Sequence, residues 1–174
     1  MALSKLIKRQ KPNDSIKKFE TSARHKYGAG LALIEGGDAT TGIEQLGYAA
    51  EMLLKSAYFR FMKSRIGLRR ITSVITGQML RDAAREGLRL NIRYDPESYH
   101  SLRFWALLLA AIRRDHAQPL PPEVEKELLT RSREMHRLWM IEHRYQNKNY
   151  GSTDVARMDV SVTWLLENHE QLWR

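Results

Sequence analysis

The sequence predicts an all-α protein, an up-and-down bundle of five to six helices. Apolar residues recur at three- and four-residue intervals over most of the chain, the spacing that lines one face of a helix. No segment alternates with period two for long enough to argue a strand. Proline, glycine and Asn/Asp residues fall between the periodic runs, where helices start and stop. The 174 residues suffice for one sizeable core, and 43% hydrophobic content places the chain outside the disordered class. Residues 1–12 read as a basic tail and 13–174 as one helical domain.

The first helix follows Pro12-Asn13-Asp14, where Asn13 or Asp14 can cap it. Ile16, Phe19, Ala23, Tyr27 and Ile34 give its apolar side, and Gly36-Gly37-Asp38 ends it. The second is expected from Thr41, with Glu44 completing a capping box, and Ile43, Leu46, Ala50, Leu54, Ala57 and Phe61 form its stripe. The third runs from Gly77 to about Leu90, and Asp95-Pro96 marks a break. A helical run resumes near Ser98 and carries Trp105, Leu108, Leu109 and Ile112. Pro121 and Pro122 suit the first turn of the next helix, which carries Val124, Leu128, Met135, Leu138 and Trp139. Asn147 to Ser152 reads as a loop. The last helix places Met158, Val162, Leu165, Leu166 and Trp173 on one wide apolar face, which suggests a two-fold homodimer. His169, on the same face, reads as a packed histidine with one hydrogen bond.

Composition narrows the function. With no cysteine there is no disulfide framework, thiol nucleophile or thiolate metal site. The six histidines lack zinc-site spacing, so no metal is expected. No cofactor is expected either, since Gly28-Ala29-Gly30 lies within a helix without a preceding strand. The longest apolar run, Ala106–Ile112, is far too short to span a bilayer, and the basic start lacks a signal peptide's apolar region. These features suggest a cytoplasmic protein with no membrane partner.

The net charge of +9 is unevenly spread: residues 1–26 hold +6, residues 60–93 hold +7, and the remainder is acidic. Such clustering suggests an anionic partner, against the plainer alternative of a solubilising surface. Arg81, Arg85, Arg89 and Arg93 recur every four residues, a possible row of phosphate-binding forks about 18 Å long on one helix. Arg69 and Arg70 extend it upstream. The alternative is a solvated face paired with Asp82 and Glu86.

Gly47-Tyr-Ala-Ala-Glu-Met-Leu-Leu-Lys-Ser-Ala57 resembles the second helix of HEPN domains. Thr76-Gly-Gln-Met-Leu-Arg-Asp-Ala-Ala84 is similar to the family's third-helix start, with Gln78 where many members carry histidine. Leu138-Trp-Met-Ile-Glu-His-Arg-Tyr145, a short loop and an amphipathic helix resemble its closing segment. The resemblance implies a central groove with Glu51, Lys55 and Tyr145 as polar elements; the plainer reading of Glu51 and Lys55 is an exposed helix pair. It also implies the metal-independent ribonuclease chemistry of many members. There an arginine holds the scissile phosphate, and a histidine separated from it by four to six residues moves the 2′-OH proton. The matching arginine is Arg144, but Asn149, Tyr150 and Gly151 stand where the histidine is needed. The spacing recurs at Arg93/His100, Arg131/His136 and Arg137/His143. Arg137/His143 is nearest the family's location, yet within one helix its side chains point about 120° apart, and His143 and Arg144 also suit a helix C-terminus.

The expectation is therefore a HEPN-like protein that binds RNA or nucleotide through a basic groove without catalysis. One alternative is a metal-independent ribonuclease using Arg137, His143 or Arg144. Another is the helical partner of a nucleotidyltransferase in a toxin–antitoxin module.

Overall fold

A computed structural model describes residues 16–65, 77–93, 100–140 and 149–174. Among these residues the chain forms six helices and no strand: α1 (Ile16–Glu35), α2 (Ala39–Arg65), α3 (Gly77–Arg89), α4 (Leu102–Asp115), α5 (Pro122–Leu138) and α6 (Ser152–Trp173). α2 is apolar around most of its circumference, which suits a central helix rather than a surface one. Leu46, Ala50, Leu53, Ala57, Tyr58 and Phe61 are all buried. α1, α4 and α6 pack around it, α5 joins α4 to α6, and α3 lies against α4. The α1–α2 hairpin is tight because it is built on glycine: a Cβ on Gly30 would stand 2.9 Å from the Gly42 carbonyl oxygen.

The helix ends show why the elements begin and stop where they do. α2 starts two residues before the expected Thr41. Asp38 is its cap, its carboxylate accepting the Thr41 N–H at 3.0 Å, so Thr41 is the third helical residue and the Thr41/Glu44 capping box does not form. Ser101 caps α4, its Oγ accepting from Phe104 N–H at 3.2 Å. That helix starts at Leu102, and Ser98 lies outside the described residues. Pro122 stands in the first turn of α5 as expected, while Pro121 is its cap.

Three turns share one hydrogen-bond pattern, with a left-handed residue just past the helix. Gly37 (φ 91°), Asn91 (φ 57°) and Ala117 (φ 54°) occupy it. In each, the next residue's N–H reaches back to the carbonyl five before it: Asp38 to Leu33, Ile92 to Gly87, Gln118 to Arg113. α5 ends at Leu138, and Trp139 is extended (φ −127°, ψ 102°), so the expected continuation of this helix through Trp139 does not occur. Trp139 instead lies flat on Gly47, where a Cβ would meet its ring at 2.2 Å, and meets Tyr48 edge-on at 5.5 Å between centroids. The Tyr150 hydroxyl donates to the Leu138 carbonyl at 2.7 Å, tying the start of α6 to the end of α5.

A candidate anion-binding cleft beside a buried ion pair

The left-handed turn at Asn91 sends Ile92 and Arg93 back toward the first turns of α4. There they meet Ser101, Arg103 and Phe104, and His136 arrives from the last turn of α5. These groups enclose a cleft of about 570 Å³. Its charged and basic lining is Arg93, Arg103 and His136; its apolar wall is Ile92, Phe104 and Leu107. No carboxylate is among the described residues lining it. Arg93 and Arg103 are exposed, and neither forms an ion pair with a described residue.

Immediately before Ser101, His100 connects this wall to the bundle interior. Its Nδ1 lies 3.1 Å from Glu51 Oε2, while Glu51 Oε1 pairs with the Lys55 ammonium. Glu51 and Lys55 are buried, which excludes the exposed-pair reading of this i,i+4 spacing. Lys55 also sits 5.2 Å from the centre of the Trp105 ring, a favourable seat for a desolvated cation. Burial pushes the Glu51 carboxyl up, but the His100 hydrogen bond and the Lys55 charge outweigh it and hold the group below its ordinary range. An ionised carboxylate at Nδ1 makes that nitrogen the donor. The other nitrogen, Nε2, is left on the part-exposed side of the ring.

A second constellation has the residue types of a nucleophilic triad. Ser56 Oγ is 2.8 Å from His169 Nε2, and His169 Nδ1 is 3.9 Å from Glu20 Oε1. Its hydrogen bonding rules out that chemistry. Nε2 also faces the Leu53 carbonyl at 3.2 Å, and Ser56 Oγ donates its own hydrogen to the same carbonyl at 2.9 Å. Nε2 therefore carries the proton and cannot take one from serine. Ser56 is wholly buried. The cluster is a seam between α2 and α6, and His169 is the packed histidine the sequence suggested. Burial is the main cause that keeps it neutral.

The arginine row is reorganised. Arg81, Arg85 and Arg89 lie exposed on α3, but Arg93 falls past the left-handed Asn91 and leaves the helix, so the four do not form one row. The three that remain are engaged. Arg81 contacts Gln78, Arg85 pairs with Asp82 at 3.3 Å, and Arg89 pairs with Glu86 at 2.8 Å and with Asp115 at 2.5 Å. Arg69 and Arg70 lie outside the described residues. So do His143, Arg144 and Tyr145. Arg137 is exposed in the last turn of α5, and because that helix stops at Leu138, Arg137 and His143 do not share a helix. Arg131 is turned to Glu127 and to the Trp164 ring, away from a role beside His136.

The α6 face that suggested a dimer is largely used within the chain: Met158, Val162 and Leu165 are fully buried, and Leu166 and Trp173 are half-buried. Among the described residues no helix is long and apolar enough to cross a membrane, and no cluster of His, Asp and Glu could hold a metal ion. Arg103 is the cleft residue that sequence reasoning missed. Its only signal was its position beside the apolar run of α4. No family model, curated protein or solved structure matches the chain.

Proposed function

We propose that the protein binds the phosphate of an RNA or nucleotide in the cleft between Arg93, Arg103 and His136. The observation that carries this reading is the presence of two arginines from different elements along a cleft whose described lining holds no carboxylate. Arginine's planar fork binds phosphate oxygens in pairs, and a charge-assisted bond of this kind is roughly twice as strong as a neutral one. The chain's overall charge of +9 adds a long-range attraction for polyanions. Labelled single-stranded RNA, followed by fluorescence anisotropy, tests the reading. Affinity should fall with salt, log K dropping by about 0.7 per phosphate neutralised for each tenfold rise in salt. Arg93→Glu with Arg103→Glu should weaken binding at least tenfold. Binding equal to the parent's would refute the proposal.

A ribonuclease reading is favoured by one specific observation, the orientation of His100 by Glu51. Arg93 and His100 are one of the pairs at the spacing noted above. On this reading Arg93 holds the phosphate while His100 Nε2 takes the 2′-OH proton. Cleavage in excess chelator, lost in both Arg93→Gln and His100→Gln, would establish it. Intact RNA after prolonged incubation would leave the protein a binder.

A further inference from the structure

We infer that the cleft is built for one nucleotide ending in a phosphomonoester, either the phosphorylated end of an RNA strand or a free nucleoside monophosphate. The inference rests on the binding reading above and narrows its ligand.

Two arrangements of arginine are present in this molecule, and they suit different anions. On α3 the side chains of Arg81, Arg85 and Arg89 are strung along one helix, as a strand of singly charged phosphodiesters would need. The charges of Arg85 and Arg89, however, are answered by Asp82, Glu86 and Asp115, and Arg81 is turned to Gln78. In the cleft, Arg93 and Arg103 come from different elements and line one partly open volume, and His136 joins them from a third. Converging charges neutralise one multiply charged group better than several spaced ones. A phosphomonoester carries about −1.5 to −2 at neutral pH, against −1 for a diester, and presents three terminal oxygens to several donors.

The volume agrees. About 570 Å³ lies within the range of roughly 300–1,000 Å³ that encloses one small-molecule ligand, so it suits a single nucleotide rather than a length of strand. The lining also has an apolar part. Ile92 and Leu107 are half-buried and can receive a flat base or a sugar face, with Phe104 buried behind them. A strand enters such a site by its end.

The test compares one short RNA in three forms: 5′-phosphorylated, 3′-phosphorylated, and with hydroxyls at both ends. Adenosine monophosphate and adenosine serve as competitors, and Arg85→Gln, on α3, is the surface control. We expect one phosphorylated end to bind at least tenfold tighter than the hydroxyl form, an advantage lost in Arg93→Gln and Arg103→Gln and kept in Arg85→Gln. Competition by the monophosphate but not by adenosine assigns the site to free nucleotides as well; preference for the RNA end alone assigns it to strand ends. If all three RNAs bind equally and the cleft variants weaken all equally, the cleft binds internal phosphates and the inference falls while the binding reading stands. If none binds and the monophosphate does not either, both fall. Thermal melting of the cleft variants, both at exposed positions, checks that they remain folded.

Discussion

Lys55 shows how strongly a single environment decides what a residue does. Its ammonium is held by one carboxylate and one indole face within the bundle. Removing one member of a buried pair leaves the other charge stranded, which costs about 3–5 kcal/mol. Lys55→Met should therefore destabilise the protein by about 3 kcal/mol in urea denaturation, the lower end because His100 still faces Glu51. Pairing Lys55→Met with Glu51→Leu should restore much of that loss, since two apolar groups of similar size need no counter-charge. A double variant no more stable than Lys55→Met alone would show that the pair contributes more than mutual neutralisation. Gly47 makes the same point through space rather than charge. A methyl group there collides with the rigid Trp139 ring, not with the end of a flexible chain, so Gly47→Ala should cost about 1–3 kcal/mol through overpacking. Full stability in that variant would mean that Trp139 can leave its seat. Neither environment could be read from the residues themselves. Glu51 and Lys55 have the spacing of an ordinary exposed helix pair, and only the packing of α4 over α2 buries them.

Among the elements, the interiors were legible and the ends only partly so. Helical spacing located all six helices because burial of one face leaves a periodic record in the sequence. Glycine at position 37 and the prolines at 121 and 122 also marked their boundaries, each for a steric reason. The errors fell at helix ends whose cause is not local to one residue type. Asp38 takes the cap that Thr41 was expected to hold, and the chain leaves helix at Trp139 with no glycine or proline to announce it. Ala117 is the plainest case. It holds a left-handed conformation, which brings its Cβ too close to its own carbonyl, yet nothing in an alanine signals that. Ala117→Gly removes the clash at an exposed site while keeping the Gln118-to-Arg113 bond. It should raise stability by about 1 kcal/mol, allowing for glycine's greater freedom when unfolded. An unchanged or lower midpoint in denaturant would contradict that account of the turn. The same pattern at Asn91 brings Arg93 to the lining of the cleft.

At the scale of the whole molecule, the cleft was the least legible feature because it has no local sequence record. Arg93, Arg103 and His136 come from a turn, the start of one helix and the end of another. A search by spacing finds residues on one helix, and so favoured the α3 row and the Arg137/His143 pair. The bundle itself is held by polar seams as well as by its core. Tyr27 of α1 bonds to Asp159 and Thr163 of α6, and the Arg113 guanidinium donates to the Gln118 and Leu172 carbonyls, fixing the end of α6. His169 of α6 completes the set, facing Ser56 and Leu53 of α2, with the charges of Glu20, Arg24 and Arg60 nearby. Burial is the largest influence on its ring and lowers its proton affinity; Arg24 and Arg60 act in the same direction, while Glu20 and the Leu53 bond oppose them. The folded state thus binds a proton at His169 less readily than the unfolded chain does. Stability at this seam is fully present above the ordinary histidine value of about 6.5, and is lost as pH falls from there through the lower folded value. Carboxylates such as Glu51 titrate at lower pH, so the two effects separate. The melting temperature of the parent should begin to fall just below about pH 6.5. His169→Gln, which keeps an amide donor for the Leu53 carbonyl but cannot be protonated, should start lower and stay flat over that window. If parent and variant instead decline in parallel from pH 7 to pH 5, the acid sensitivity belongs to other groups and His169 does not govern how α6 is held to α2.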